Sequence, residues 1–413
     1  MRHPARLLFP LIAAPLALAT TAAANDFPAG KGQALASTLC VACHSARNIE
    51  RSAGYTAEGW RELTATMVDL SHAPEMWDEL ADYLAEHFPP NERRAATLVP
   101  GPLDVTFTEW VTPTLGQRSR DPVEAPDGAI WWAGQWGNLV GRIDPDTGEM
   151  TEYPLPPNAK PHSVNVDADG AIWYTGNKNG TMGKLDPATG AVTEYKMPDP
   201  AARDPHTAEF DDNGILWFTL QQSNRVGRLD PATGDIRLVT MPQERSRPYG
   251  IKVADDGTLW IACNGGNCIA RMDPDTMEIT AIPVSGPGTT VRRLDIDDAG
   301  NIWFVNSGLG RLGRYEPATG TITEWPSPSG PGSHPYAIAV VDGAVWYNES
   351  GVRPDPLVRF DPATETFQSW AIPSGGVHAG ILRHMRPAEN GDLLIHQSAT
   401  NRIIRVSPTT PGG

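Results

Sequence analysis

Pro161-His162-Ser163-Val164-Asn165-Val166-Asp167-Ala168-Asp169-Gly170-Ala171-Ile172-Trp173-Tyr174 reads as two short β segments joined by a turn. Branched and aromatic residues flank a cluster of aspartate and glycine, which is strand chemistry around turn chemistry. Met182 to Leu185 follows as a third segment and Val192-Thr193-Glu194-Tyr195 as a fourth. Between them lies Asp186-Pro187-Ala188-Thr189-Gly190, where proline presets φ and glycine accepts the left-handed position. The same order recurs along the chain. Its first turn glycine falls at 128, 170, 214, 257, 300, 343 and 391, spacings of 42, 44, 43, 43, 43 and 48. Four strands per period and seven periods define an all-β, seven-bladed β-propeller over residues 105–408.

The repeated residues have separate physical jobs. Trp131, Trp173, Trp217, Trp260, Trp303 and Trp346 hold one phase of the second strand, with Leu394 in the last repeat. Packing between blades is the expectation for them, ahead of a redox ladder. Met277 and Glu365 stand where other repeats have the second turn glycine, so those turns should be strained or differently shaped. The last repeat ends near Val406 without a fourth strand. Val105 to Trp110 has the fourth-strand pattern and precedes the first repeat, so it should complete the seventh blade and leave no open edge.

Ahead of the repeats, Cys40-Val41-Ala42-Cys43-His44 is a C-x-x-C-H sequence. It is the attachment signature of one covalent haem c, with thioethers to Cys40 and Cys43 and His44 as proximal iron ligand. A zinc site would need nearer partners, since the remaining cysteines, Cys263 and Cys268, lie over 200 residues away. Those two flank Asn-Gly-Gly-Asn and are read as a disulfide across a β-hairpin, with a redox-active pair as the alternative. Arg2, His3 and Arg6, the apolar stretch Leu7 to Ala19 and Ala22-Ala23-Ala24 read as a signal peptide over 1–24. The expected location is therefore periplasmic, where thioether attachment takes place. No later apolar run has the ~18 residues of a membrane span. With 33 Lys+Arg against 49 Asp+Glu, nucleic acid is a poor partner.

Residues 27–98 carry helical spacing: Lys31 to Leu39, Thr56 to Leu70 with Trp60, Leu63 and Met67 on one face, and Pro74 to His87. With the haem motif, Glu58-Gly59-Trp60 and Tyr83-Leu84-Ala85, this segment resembles small class I cytochrome c domains, here a mono-haem one followed by a linker at 99–104. The resemblance implies a methionine on the far side of the iron. Met67 is preferred, with Met76 as the alternative and His72 as a bis-histidine option.

The propeller resembles the virginiamycin B (streptogramin B) lyase family. The residues that carry this are the Pro-His or Pro-Tyr blade openings, the Ile-Trp-Tyr strands, Gly-Arg-Leu-Asp-Pro and Thr-Glu-Tyr. It implies metal-assisted C–O elimination with a histidine base at the central mouth. His162 and His206 match the histidine positions, and Glu349 alone matches the family's glutamate. Gly134, Gly176, Leu220, Cys263, Asn306 and Gln397 occupy the equivalent places, which puts a second metal ion in the propeller in doubt.

At the phase of His162 stand Arg120, His206, Tyr249, Arg292, Tyr336 and Arg383, and one step on lie Arg293 and His384. These should share one rim and form a basic pocket for a carboxylate or phenolate, unless the arginines pair with channel aspartates. His378, His384 and His396 in the long last repeat are a further transition-metal option. The leading expectation is an oxidoreductase or electron-transfer component, whose propeller meets a small anionic substrate or a periplasmic redox protein. His162, His206, Glu349, Tyr249 and Tyr336 are its candidate catalytic residues. The alternatives are a metal-dependent lyase and a non-catalytic redox scaffold, and oligomeric state is left open.

Overall fold

A computed structural model describes residues 27–42, 45–92, 94–377 and 382–409. The expected signal peptide, Cys43, His44 and His378 lie outside these residues. Seven four-stranded antiparallel sheets are arranged as blades, whose innermost strands are Ser119–Glu124, Pro161–Val166, Pro205–Phe210, Pro248–Val253, Val291–Ile296, Pro335–Val341 and Arg386–Pro387. The ring closes as its sequence pattern implies. Asp104–Val111 pairs with Arg402–Thr409 in unbroken antiparallel register, from Asp104 opposite Thr409 to Val111 opposite Arg402. No described helix is long and apolar enough to cross a membrane.

The core lies between blades. Trp303, Val305 and Leu312 of blade five pack with Ile338, Tyr347 and Phe360 of blade six. Ile130, Trp132 and Ile143 of blade one meet Leu394 and Ile403 of blade seven across the closure. Three of the phased tryptophans, Trp173, Trp217 and Trp303, donate Nε1 to Asp167, Asp211 and Asp297 at 2.8 Å. A ring of this size buried with its N–H satisfied anchors the blade's first turn to its second strand. The fourth-strand glutamate also has work. Glu152 accepts from Thr114 and Gln117, and Glu194 from Asn179, which ties loops to the outer strands.

Glycine in Gly-Arg-Leu-Asp-Pro is dictated by the aromatic residue after the phased tryptophan. A Cβ at Gly183 would lie 2.0 Å from the Tyr174 ring, and one at Gly227 2.3 Å from Phe218. Met277 and Glu365 keep the turn shape of their glycine counterparts, with φ of 58° and 53°. Met277 N–H bonds Asp273 O at 2.9 Å, as Gly190 N–H bonds Asp186 O at 2.8 Å. Those turns are therefore strained and not reshaped.

Residues 27–98 form a small helical head. Gln33–Leu35 runs into a π-helical turn, Ala36–Cys40, followed by Arg47–Glu50, Ala57–Ala65 and Pro74–His87. Thr56 caps Ala57–Ala65 by accepting from Gly59 N–H at 3.2 Å. Trp60, Leu63, Leu80, Tyr83 and Leu84 fill the head's core, and Val377 of the propeller joins them. The helix expected to reach Leu70 stops at Ala65. Met67 therefore sits in the following turn, its N–H on Thr64 O at 2.9 Å.

The expected linker is not a free tether. Val99 N–H donates to Ser369 Oγ and Ser369 N–H returns a bond to Val99 O, both at 2.8 Å. Leu103 N–H donates to Gln368 Oε1 at 3.2 Å. Residues 99–104 thus run along the outer strand Thr366–Ala371 of blade six. Ala53 N–H bonds Gly376 O at 2.9 Å, which seats the head on the loop between blades six and seven.

These contacts give a paired stability prediction. Met277→Gly should stabilise the protein by about 0.5–1 kcal/mol, because left-handed strain exceeds the entropy cost of glycine. Gly183→Ala should destabilise it by about 1–3 kcal/mol or more by overpacking against Tyr174. Denaturant unfolding of both variants checks this, and opposite signs are required.

Candidate functional site

The inner strands open at the central axis, and six of them break register there. The shift falls between Arg120 and Val123, Pro161 and Val164, Pro205 and Ala208, Pro248 and Ile251, Val291 and Leu294, and Pro335 and Ile338. A bulge re-aims successive side chains that a regular strand would send to opposite faces. This is why both sequence columns, the phase of His162 and the step after it, reach one mouth.

Around that mouth the groups touch in sequence. The His162 and His206 rings lie 3.6 Å apart, and His206 lies 4.1 Å from Tyr249. Tyr249 and Tyr336 share a hydroxyl hydrogen bond of 2.5 Å. The Arg292 guanidinium sits 4.5 Å above the Tyr336 ring, and Arg293 sits 5.3 Å from that of Tyr249. Arg293 also donates to Arg383 O at 2.9 Å and to Thr207 Oγ1 at 3.3 Å.

At the centre is Asp121, which sequence reasoning missed. It occupies the column of Arg293 and His384, one step after Arg120, and that column was the available signal. It is fully buried with φ of 50°, a left-handed strain of the kind stored at functional sites. Its carboxylate lies 3.4 Å from Arg120 Nε, 3.4 Å from His384 Nδ1, 3.7 Å from Arg293 Nη2 and 3.9 Å from His396 Nε2. Burial alone would raise this carboxyl, but Arg120, His384 and Arg293 hold it well below the carboxylate range. Arg118, also missed, borders the same cluster.

One carboxylate does not neutralise these cations. Arg120 Nη2, Arg292 Nε, Arg293 Nη2, Arg383 Nη1, His162 Nδ1 and His384 Nδ1 are buried without a hydrogen-bond partner. Burial, and then Arg383 and Arg120, press Arg118 down to about 8. Burial and then Arg120 keep His162 neutral, and burial and then Arg293 do so for His206 and His384. Burial would raise the Tyr336 phenol too, but Arg292, Arg383 and the bond from Tyr249 bring it to about 8. Burial and the neighbouring Tyr336 push Tyr249 the other way. When the pair loses a proton, the negative charge falls on Tyr336.

Glu349 requires a correction. It is fully buried and accepts from Ser327 Oγ at 2.6 Å, Ser329 N–H at 2.9 Å and Ser329 Oγ, so it organises a loop and is not part of the mouth cluster. Among the described residues no three His, Cys, Asp or Glu side chains form a metal-binding group. His396 Nε2 instead accepts from Arg383 N–H at 3.2 Å. The possible second metal ion in the propeller finds no group of three such ligands among the described residues. Cys263 and Cys268 are joined as a buried disulfide closing their hairpin.

Between the head and the mouth lies a cavity of about 330 Å³. Cys40, Met67, Leu39 and Val68 line it from the head, and Arg118 and Arg383 from the propeller. Met76, the alternative ligand, is exposed.

The profile of the Virginiamycin B lyase family matches residues 102–267 and 234–411. Virginiamycin B lyase from Staphylococcus aureus superposes with a TM-score of 0.66 and 25% identity, covering 74% of this chain and 99% of that one. A streptogramin B lyase structure gives 0.67 and 24%, over 74% and 98%. The WD40 propeller of Doa1 shares the fold at 0.58 and 14% identity, over 72% and 97%. No curated protein sequence matches, and none of these likenesses identifies the helical head. From blade one to the closing strand pair, the chain belongs to the Virginiamycin B lyase family.

Proposed function

We propose that the mouth binds a small, multiply anionic substrate and opens it by lyase-type elimination. The observation that carries this is the set of buried guanidinium and imidazole nitrogens around Asp121, of which Arg120 Nη2, Arg292 Nε, Arg383 Nη1 and His162 Nδ1 have neither a hydrogen bond nor an ion pair among the described residues. Buried N–H donors left without hydrogen bonds are costly, and an anion entering among them recovers that cost as binding. Arg120 and Arg293 fit a substrate carboxylate through paired N–H donors. Tyr336 fits the general base, since its pKa of about 8 leaves a useful phenolate fraction near neutrality.

The step balances without an outside reagent. The Tyr336 phenolate takes the proton from the carbon next to the substrate carboxylate. The C–H electron pair becomes a C=C bond as the neighbouring C–O bond breaks. The departing oxygen then receives the proton that Tyr336 removed. Charge developing on the carboxylate during abstraction is met by Arg292, which lies above Tyr336. The family likeness supports a lyase, while the cationic mouth favours a small acid over a cyclic depsipeptide as substrate.

A base acts deprotonated, so turnover should rise as pH climbs through about 8 and level off above it. Tyr336→Phe should lose roughly 10²–10⁴-fold in kcat. Tyr249→Phe should retain turnover but move the profile to higher pH, because the phenolate loses its donor. Small di- and tricarboxylates should raise the melting temperature in proportion to occupancy. The growing absorbance of an unsaturated acid reads the reaction. Anion binding with no dependence on Tyr336 would reduce the mouth to a binding site.

A second reading, a covalent haem in electron transfer, is favoured by the cavity shared by Cys40 and Met67. A thiol and a thioether on one apolar-walled space fit the group that the C-x-x-C-H motif implies. Cys40 and Cys43 would tether it, with His44 and Met67 on the iron, and when bound it supplies one-electron transfer. Full-length protein matured in a haem-attaching host should gain the mass of one haem, and Cys40→Ala together with Cys43→Ala should remove it. An anaerobic reductive titration should then count one electron per haem, and more than one would reveal a further redox centre.

A further inference from the structure

We infer that the propeller supplies one wall of the haem site, with Arg118 and Arg383 holding the haem's anionic propionate edge. The inference rests on the second reading above and extends it to residues outside the helical head. The cavity is two-sided. Leu39, Val68 and Leu80 present apolar surface from the head, while Arg118 and Arg383 present cations from the ring. A haem is amphipathic in the same sense, with an apolar macrocycle and two carboxylates on one edge. The orientation follows: macrocycle against the head, propionates against the ring.

The two arginines are placed for this role. Arg383 Nη1 is buried without a hydrogen-bond partner. Its backbone is fixed on both sides, with N–H on His396 Nε2 at 3.2 Å and its carbonyl accepting from Arg293 Nε at 2.9 Å. The Arg118 guanidinium stacks 4.7 Å from the centre of the Trp136 ring, which holds it at the cavity wall. Its backbone is held at a φ of 58°, a costly conformation for arginine. The head is seated on this face by its own bonds, Gly116 N–H to Thr66 O at 3.4 Å beside Met67, and Ala53 N–H to Gly376 O at 2.9 Å. A Cβ at Gly376 would lie 2.3 Å from the Tyr55 hydroxyl, so the seam is close-fitting.

The test uses full-length protein carrying its haem. The midpoint potential is read by spectroscopic redox titration for wild type, Arg118→Gln, Arg383→Gln and Arg118→Lys. Removing a nearby positive charge favours the oxidised iron, so each glutamine variant should lower the reduced-to-oxidised ratio about tenfold at fixed potential, a fall of ~59 mV for one electron. Arg118→Lys keeps the charge and should hold the wild-type value, while Arg228→Gln on the outer propeller should leave it unmoved. If one glutamine variant fails to fold, the other carries the test. Wild-type potentials in folded, haem-loaded glutamine variants would overturn the propeller wall and leave the haem reading intact. Wild-type protein with no covalent haem would overturn both.

Discussion

The antiparallel pairing of Asp104–Val111 with Arg402–Thr409 is the constraint on which the rest of the molecule depends. Without it, blade seven would present an open edge and the channel would lose one wall. The pairing joins the two ends of the ring, so it costs loop-closure entropy that the intervening blades have largely met by folding in sequence. It also decides where the head goes. The chain enters the ring at residue 104, and residues 99–103 are bonded along the outer strand of blade six. The head thus has little choice but to sit on the adjacent face.

That face is also the mouth. The inner strands start there, and their bulges turn two consecutive side chains toward the axis where a regular strand would turn one. Six periods of one modest irregularity concentrate arginine, histidine and tyrosine into a volume that holds one central carboxylate. The result is a cationic, desolvated centre inside a protein whose formal charge is −16. Long-range steering by the whole molecule therefore opposes small anions, while the local field at the mouth favours them. On the proposed function, fixed N–H donors at short range are what would bind an anion there.

The same arginines face two directions. Arg383 lines the cavity under the head and also lowers the Tyr336 phenol across the mouth.

The ring was legible along the chain because the blades solve one packing problem with closely similar residues, as in Gly183 beneath Tyr174, Asp167 under Trp173 and a turn glycine at Gly190. Ring closure was legible because a missing fourth strand at one end matched a spare one at the other. The mouth was half legible. The column of His162 was visible, but Asp121 was passed over and Glu349 was overvalued, because a strand pattern does not say where a bulge re-aims it. Glu349 satisfies Ser327 and Ser329. The seam was not legible at all. Cys40 and Arg383 line one cavity from positions hundreds of residues apart, and no local propensity or period encodes such a distance. Repetition and turn chemistry are short-range and survive in one dimension; the balance of charge at the mouth and the cavity beside it arise only when closure brings remote segments together.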